Sequence, residues 1–326
     1  MNKELMKSDK IGFSTLKMFY ENAQLFRKYQ KDLKEGTLER KSYFDFGSAF
    51  HKLILQKDEF LKEYAVLPVF PEGKYADAVK TLVSTRTMYS NGEEDRTKDW
   101  LNNAIFTSEL KCDAGALYKK IWENEKDETY LKMFLKLVEL ENFKTLTQEE
   151  WDLLISMETS VLNSPYIYRF CIGIEPEFGI EVFTEKNLKW YSDLLEEPME
   201  LDSTLDRVVI DHNKKTIDIL DLKSTKSKIS KFTETIKEYD YDLQGYMYLQ
   251  AIKYNYTELI NLGYSVYYCI LAVEKQNPSY CWLFGMSAET FVNNELKFVK
   301  IARNLLDSYS SGNWNKINGN DSSIIF

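Results

Sequence analysis

The chain has 326 residues, 44% of them hydrophobic, with 19 Phe, 22 Tyr and 6 Trp, enough apolar material for a substantial core and too much for wholesale disorder. Lys and Arg number 42 against 51 Asp and Glu, and the net charge of −9 excludes a protein that coats nucleic acid through a basic surface overall. No apolar run approaches the ~20 residues that span a bilayer, and Met1–Leu5 does not begin a secretory signal, so a soluble cytoplasmic protein with no membrane partner is expected.

The first 62 residues read as helical. Ser14 is placed to cap a helix through Leu16, Phe19, Tyr20 and Phe26, and a second helix carries Phe46, Phe50, Leu53, Ile54 and Leu55. Residues 75–163 combine many charges with helical periodicity and no alternation, which marks a helical insertion; Thr147 and Glu150 form a capping box there, and Ser164-Pro165 closes the stretch. After residue 172 strand-like runs appear at Phe178–Phe183, Leu205–Ile210, Thr216–Leu222, Tyr264–Ala272 and Trp282–Phe284, with helical segments at 230–256 and Ala288–Tyr309. Strands interleaved with helices predict an α/β core with a mixed central sheet flanked by helices, over about 172–310. Cys112, Cys171, Cys269 and Cys281 are scattered with no CxxC pair, which argues against a zinc ribbon, an iron–sulfur cluster or a disulfide framework.

The chemistry concentrates between Leu205 and Lys223. Two apolar runs flank the polar Asp211–Lys215 segment and predict a β-hairpin. A turn centred between Asn213 and Lys214 sets Asp206 opposite Asp221, and cross-strand partners point to the same side of a sheet. Lys223, two residues on, shares that face. Two carboxylates in so apolar a setting repel each other and are costly to ionise, a conflict that a divalent cation removes. A D-x-K triplet alone is common: Asp32-Leu33-Lys34 is another in this chain, where solvated side chains are the natural reading, and the plain alternative for Asp221 and Lys223 is a buried ion pair. Gln244 and Tyr248, four apart, share a helix face; His51, in Gly47-Ser48-Ala49-Phe50-His51, sits where small residues let a helix pack closely and is a candidate metal ligand; His212 reads as a solvated turn residue. An upstream acid is expected among Glu175, Glu177 and Glu181, with Glu177 preferred. Mg²⁺ held by Asp206, Asp221, the Leu222 carbonyl and His51, with Mn²⁺ as a substitute, is the expected cofactor.

Several segments line up in order: Ile11–Lys17, Gly47–His51, Leu205-Asp206-Arg207, Asp221-Leu222-Lys223-Ser224-Thr225, Tyr241–Gln244 with Tyr248, Val273–Lys275 and Trp314. Together they resemble the exonuclease VIII (RecE-like) branch of the PD-(D/E)xK nucleases, close to the RecB-type nuclease domains. The resemblance implies one nuclease domain over 1–326, in which N-terminal helices (1–62) complete the site and Asp206, Asp221, Lys223, Gln244, Tyr248 and an upstream acid act in catalysis. It implies Mg²⁺-dependent degradation of one strand of linear duplex DNA, commonly 5′ to 3′, as a ring-shaped homo-oligomer that feeds a single-strand annealing protein in phage recombination. Residues 75–163 and the acidic stretch between Glu181 and Glu200 have no counterpart in that pattern. A related endonuclease, a single-strand nuclease and a non-catalytic DNA-binding scaffold are the competing readings.

Overall fold

The computed structural model describes residues 9, 11–37, 46–89, 94–168, 172–196 and 198–315, so Met1–Leu5 and Cys171 lie outside the described residues. The chain divides into two compact units, Asp58–Asp152 and the remainder. In chain order the helices are α1 (Phe13–Glu21), α2 (Ala23–Glu35), α3 (Phe46–Leu55) and α4 (Lys57–Glu63), then strand β1 (Tyr64–Val66). There follow α5 (Lys74–Tyr89), α6 (Glu94–Thr107), α7 (Ala114–Trp122), α8 (Thr129–Glu139), β2 (Lys144–Leu146), α9 (Gln148–Asn163) and α10 (Pro165–Ile167). The last third holds β3 (Ile180–Tyr191), β4 (Glu200–Asp211), β5 (Thr216–Thr225), α11 (Phe232–Tyr239), α12 (Tyr241–Asn255), α13 (Thr257–Asn261), β6 (Ser265–Glu274), β7 (Cys281–Gly285) and α14 (Ala288–Ser311).

The larger unit is built on a five-stranded sheet in the order β3-β4-β5-β6-β7, with β5 and β6 parallel and the other pairs antiparallel. This is the expected mixed α/β architecture. One face of the sheet carries Val208, Ile210, Ile217, Ile219, Tyr268, Ile270 and Ala272, and Leu243, Tyr246, Met247 and Ile252 of α12 with Phe298 and Leu305 of α14 pack into the same core. The smaller unit has its own core of Val79, Leu82, Leu101, Ala104, Leu117, Ile121 and Met133, while β1 and β2 form a parallel pair. It starts at Asp58 and ends at Asp152, whereas charge and periodicity placed the insertion at 75–163. The difference arises because helical periodicity runs unbroken through α9 and hides the point where the chain leaves one core for the other.

Four local features depart from the expectations. Gly12, not Ser14, is the N-cap of α1: its N–H donates to Thr15 Oγ1 at 2.9 Å, and a Cβ there would lie 3.0 Å from the Asp202 carbonyl oxygen. The stretch between Glu181 and Glu200 is mostly strand, with β3 and β4 paired as far as Tyr191 and Glu200. Its solvent-facing charges read as a connection, but Leu188 and Trp190 alternate with them and are buried. The helical segment 230–256 is broken at Asp240, whose φ of +56° ends α11 and starts α12. His212 is not merely solvated, since its ring nitrogens meet Tyr264 Oη at 2.8 Å and Glu181 Oε1 at 2.7 Å.

Candidate active site

The hairpin between β4 and β5 positions the two acids. Asp211 Oδ1 accepts from the N–H groups of Asn213 and Lys214, an Asx-type turn that fixes where the chain reverses. The paired register then runs Asp211↔Thr216, Val209↔Asp218 and Arg207↔Leu220, where it stops. One step further Asp206 stands across from Asp221. Beyond that step β4 pairs only with β3, and β5 only with β6, so the sheet opens into a cleft between them. Asp206 Oδ2 accepts the Leu222 N–H at 2.7 Å, in place of the missing ladder partner. The Leu222 carbonyl points into the same gap, because both polar groups of a strand residue face one edge.

β3 adds a third acid from the far side. Its register passes from Thr184↔Arg207 to Lys186↔Leu205 and leaves Glu185 across from Asp206. Glu185 has φ +50°, a left-handed conformation that costs a non-glycine residue on the order of 1 kcal/mol or more. α3 packs on β4 and β5 and delivers His51, whose Nδ1 lies 3.5 Å from Asp206 Oδ2. One ligand atom from each of His51, Glu185 and Asp206 falls within 4.8 Å of the others, a spacing that suits a shared cation.

Asp221 is fully buried, and burial pushes its carboxyl up to about 6, with Lys223 opposing the rise and Asp206 adding to it. The Lys223 ammonium stands 2.7 Å from Asp221 Oδ2 as an ion pair, and Oδ1 has no hydrogen-bond partner among the described residues. A buried carboxylate oxygen left unmatched costs free energy unless something else meets it. Burial alone would depress the Lys223 amine, but the attraction of Asp221 and then Asp206 outweighs it and holds the amine above its ordinary value. The ammonium also lies 4.9 Å from the centre of the Tyr241 ring.

Gln244 and Tyr248 come in from α12: Gln244 Nε2 donates to Tyr248 Oη at 2.7 Å, and Gln244 Oε1 is buried without a hydrogen-bond partner among the described residues. Burial drives the Tyr248 hydroxyl far above its usual range, with Asp221 and Asp206 adding to the effect. A cleft of about 470 Å³ opens here, lined by Phe13, Gly47, Ser48, His51, Lys223 and Gln244 among others.

The structure thus brings together His51, Asp206, Asp221, Leu222, Lys223, Gln244 and Tyr248. It does not bring Glu177 to them. Glu177 bridges Ile180 beside Asp211, about five strand positions or ~16 Å along β4 from Asp206. Glu181 is held there too, on His212. The acid in the cluster is Glu185, not one of the three expected from the sequence. Arg207 also turns away from the cleft and donates to the carbonyls of Ile172 and Ile174.

A mixed five-stranded sheet with a D…D-x-K pair where two strands part, flanked by helices, defines a PD-(D/E)xK core. The chain belongs to the family described as PDDEXK-like domain of unknown function (DUF3799), which it matches over residues 12–315. No curated protein matches it. Among solved structures it is similar to a protein of Eubacterium rectale provisionally named an exonuclease, at 10% identity and TM-score 0.43, over 95% of this chain and 84% of that one. It is also similar to SSO0001, at 8% identity and TM-score 0.26, over 76% of this chain and 96% of that one. Among the described residues no helix is long and apolar enough to cross a membrane.

Proposed function

We propose that this protein is a divalent-metal-dependent deoxyribonuclease that removes nucleotides from one strand of linear duplex DNA. The observation that carries the reading is the fully buried oxygen of Asp221, without a hydrogen-bond partner among the described residues, beside a cluster of His51, Glu185 and Asp206 at a cleft that His51, Leu222 and Lys223 line. Such a donor set, oxygen-rich with one imidazole, fits a hard divalent cation such as Mg²⁺, with Mn²⁺ as a substitute. When bound, that ion supplies Lewis-acid polarisation of the scissile phosphate and a lower pKa for its water.

The chain's own residues do the rest. Asp206 and Asp221, with Glu185, His51 and the Leu222 carbonyl, hold the cation. Lys223 is kept protonated by its two carboxylate neighbours, so it donates to a phosphate oxygen and stabilises charge rather than accepting a proton. Gln244 lines the cleft and is fixed by Tyr248, and its Oε1, without a partner among the described residues, is the acceptor that orients the attacking water. The preference for linear DNA ends, 5′ to 3′ polarity, ring assembly and service to a single-strand annealing protein in phage recombination are part of the same proposal and rest on the resemblance to the RecE-like branch.

The test uses end-labelled linear duplex beside covalently closed circles, with Mg²⁺ and with EDTA. Wild type shortens the linear DNA only with the metal and spares the circles. Asp221→Asn lowers the rate by about 10²–10³-fold, the scale lost when one charge-stabilising group is removed, while DNA binding persists. Undiminished cleavage by Asp221→Asn removes this site from the mechanism, and nicking of circles makes the enzyme an endonuclease.

A further inference from the structure

The sheet places one large exposed aromatic side chain in line with the candidate site. Lys223 on β5 pairs with Ala272 on β6, and Ala272 pairs with Trp282 on β7. Cross-strand partners share a face, so Trp282 stands on the same side of the sheet as Lys223, two strand spacings or ~10 Å away. Trp282 is 62% exposed, whereas Ala272 between the two is fully buried. A tryptophan left this open on a sheet edge contributes little to the core, and it offers a flat π surface.

The loop leaving β5 packs against β6. The Ile229 N–H donates to the buried Glu274 side chain at 3.1 Å, which ties the loop to the end of β6. Phe232 then packs at once on Phe284 of β7, with ring centres 5.0 Å apart, and on Tyr241, the residue beneath Lys223. The loop is therefore anchored to the end of β6 and, through Phe232, to β7, the strand of Trp282, and to Tyr241 at the Lys223 end of the cleft. It carries Lys226, Lys228 and Lys231, all exposed, and none has an ion-pair partner among the described residues. In a chain of net charge −9, where lysines such as Lys62, Lys80, Lys132 and Lys136 face a carboxylate three or four residues away, three amines without such a partner on the seven residues 225–231 are a local excess of positive charge. Lys275, which lines the cleft, is held to the same loop through its N–H, 2.7 Å from the Thr225 carbonyl.

A row of cations beside an exposed aromatic ring is the combination that binds an unpaired nucleic-acid strand: amines follow the phosphates and the ring receives a base. A duplex has its bases stacked inside and has no use for the ring. We infer that the 225–231 loop and Trp282 form a track for single-stranded DNA, guiding the strand that is being cut into or out of the cleft. The inference rests on the nuclease reading for the identity of its ligand, and it assigns Lys226, Lys228, Lys231 and Trp282 to phosphate and base contact respectively.

The experiment measures fluorescence anisotropy of a labelled oligothymidylate in Ca²⁺, across a series of salt concentrations, with the full-length chain. Replacing the three lysines by glutamine flattens the dependence of log K on log salt by about 2, since each phosphate neutralised on a single strand contributes roughly 0.7. Trp282→Ala weakens binding by about 5–100-fold, the loss of one stacked base, and leaves the salt slope as in wild type; Trp282→Phe recovers most of it. Both sets of side chains are exposed, and far-ultraviolet circular dichroism confirms that each variant is folded. Wild-type affinity and slope in both variants overturn the track, as does binding to duplex alone. Absence of Mg²⁺-dependent cleavage by wild type, with these binding changes intact, overturns the nuclease reading and keeps the track.

Discussion

A carboxyl group cut off from water keeps its proton longer than the same group in an unfolded chain, and Asp221 is such a group. Burial raises it from 3.8 to about 6. The folded state then binds the proton more tightly than the unfolded state, so this residue's contribution to stability is complete below pH 4 and is lost as pH rises through 6. The shift corresponds to about 3 kcal/mol as an order of magnitude. In EDTA the stability of wild type should therefore fall relative to Asp221→Asn between pH 4 and pH 7, as followed by urea denaturation at each pH. A divalent ion displaces the proton, so the gain in Tm on adding Mg²⁺ should be larger at pH 7.5 than at pH 5 and should vanish in Asp221→Asn. Parallel pH profiles for the two proteins would show that Asp221 titrates normally and that its burial carries no such tension. The pairing of Asp206 with Asp221 was readable from the sequence because a short turn and a period of two leave one register. Glu185 was not readable: its place depends on a positive φ, and it stands in a charged run, Thr184-Glu185-Lys186-Asn187, with no alternation to announce a strand.

The approach of α12 to β6 sets where Gln244 and Tyr248 end up. Gly245 lies between them, and a Cβ there would come within 2.3 Å of Tyr268 Cε1 and 2.7 Å of Met286 Cε. Tyr268 is buried and cannot swing aside. Helix propensity by itself favours alanine over glycine by about 1 kcal/mol, but overpacking a closed interior costs about 1–3 kcal/mol or more, and a contact of this shortness puts the sign with the clash. Gly245→Ala is expected to lower Tm by several degrees and to cut turnover more than Asp240→Gly, which relieves a positive φ and gives up the ion pair to Lys297 but leaves the contact between α12 and β6 alone. A Gly245→Ala protein as stable and as active as wild type would mean that the helix sits further from the strand. Neither feature shows in the sequence pattern: Gly245 reads as a weak point in a helix, and the break at Asp240 reads as an ordinary polar position. The β3–β4 arm was missed for a related reason. An edge strand exposes half its residues, and this one exposes Glu181, Glu185 and Lys189, so the buried Leu188 and Trp190 are too few to outweigh the charge.

The 58–152 unit raises the question of whether this chain is one cooperative body or two. Its interior is local. Ala76, Val79 and Leu82 of α5 meet Leu101 and Ala104 of α6, Leu117 and Ile121 of α7 and Met133 of α8, and all of these are within the unit. Trp100 donates to the Leu82 carbonyl and to Thr85 Oγ1, both at 2.9 Å, and its ring lies in a cluster with Trp122 and Phe134. The first and last strands of the unit, β1 and β2, pair with each other through Tyr64↔Lys144 and Val66↔Leu146, which brings its two ends together. A segment with its own apolar interior, short-range contacts and adjoining ends meets the conditions for independent folding. Residues 58–152 expressed alone should show a helical circular dichroism spectrum and a single thermal transition, with a van't Hoff enthalpy of about 60–70 kcal/mol for a domain of this size. Trp100 and Trp122 supply a fluorescence signal for the same transition. A broad, non-cooperative melt, or coincidence of the fragment's exposed-apolar dye binding with that of a denatured chain, would mean that the unit borrows its order from the rest of the protein. Cooperative melting would instead mark it as a self-contained module joined to a nuclease-type core through Lys57 and Leu153, free to differ in sequence without disturbing the sheet that carries Asp206 and Asp221.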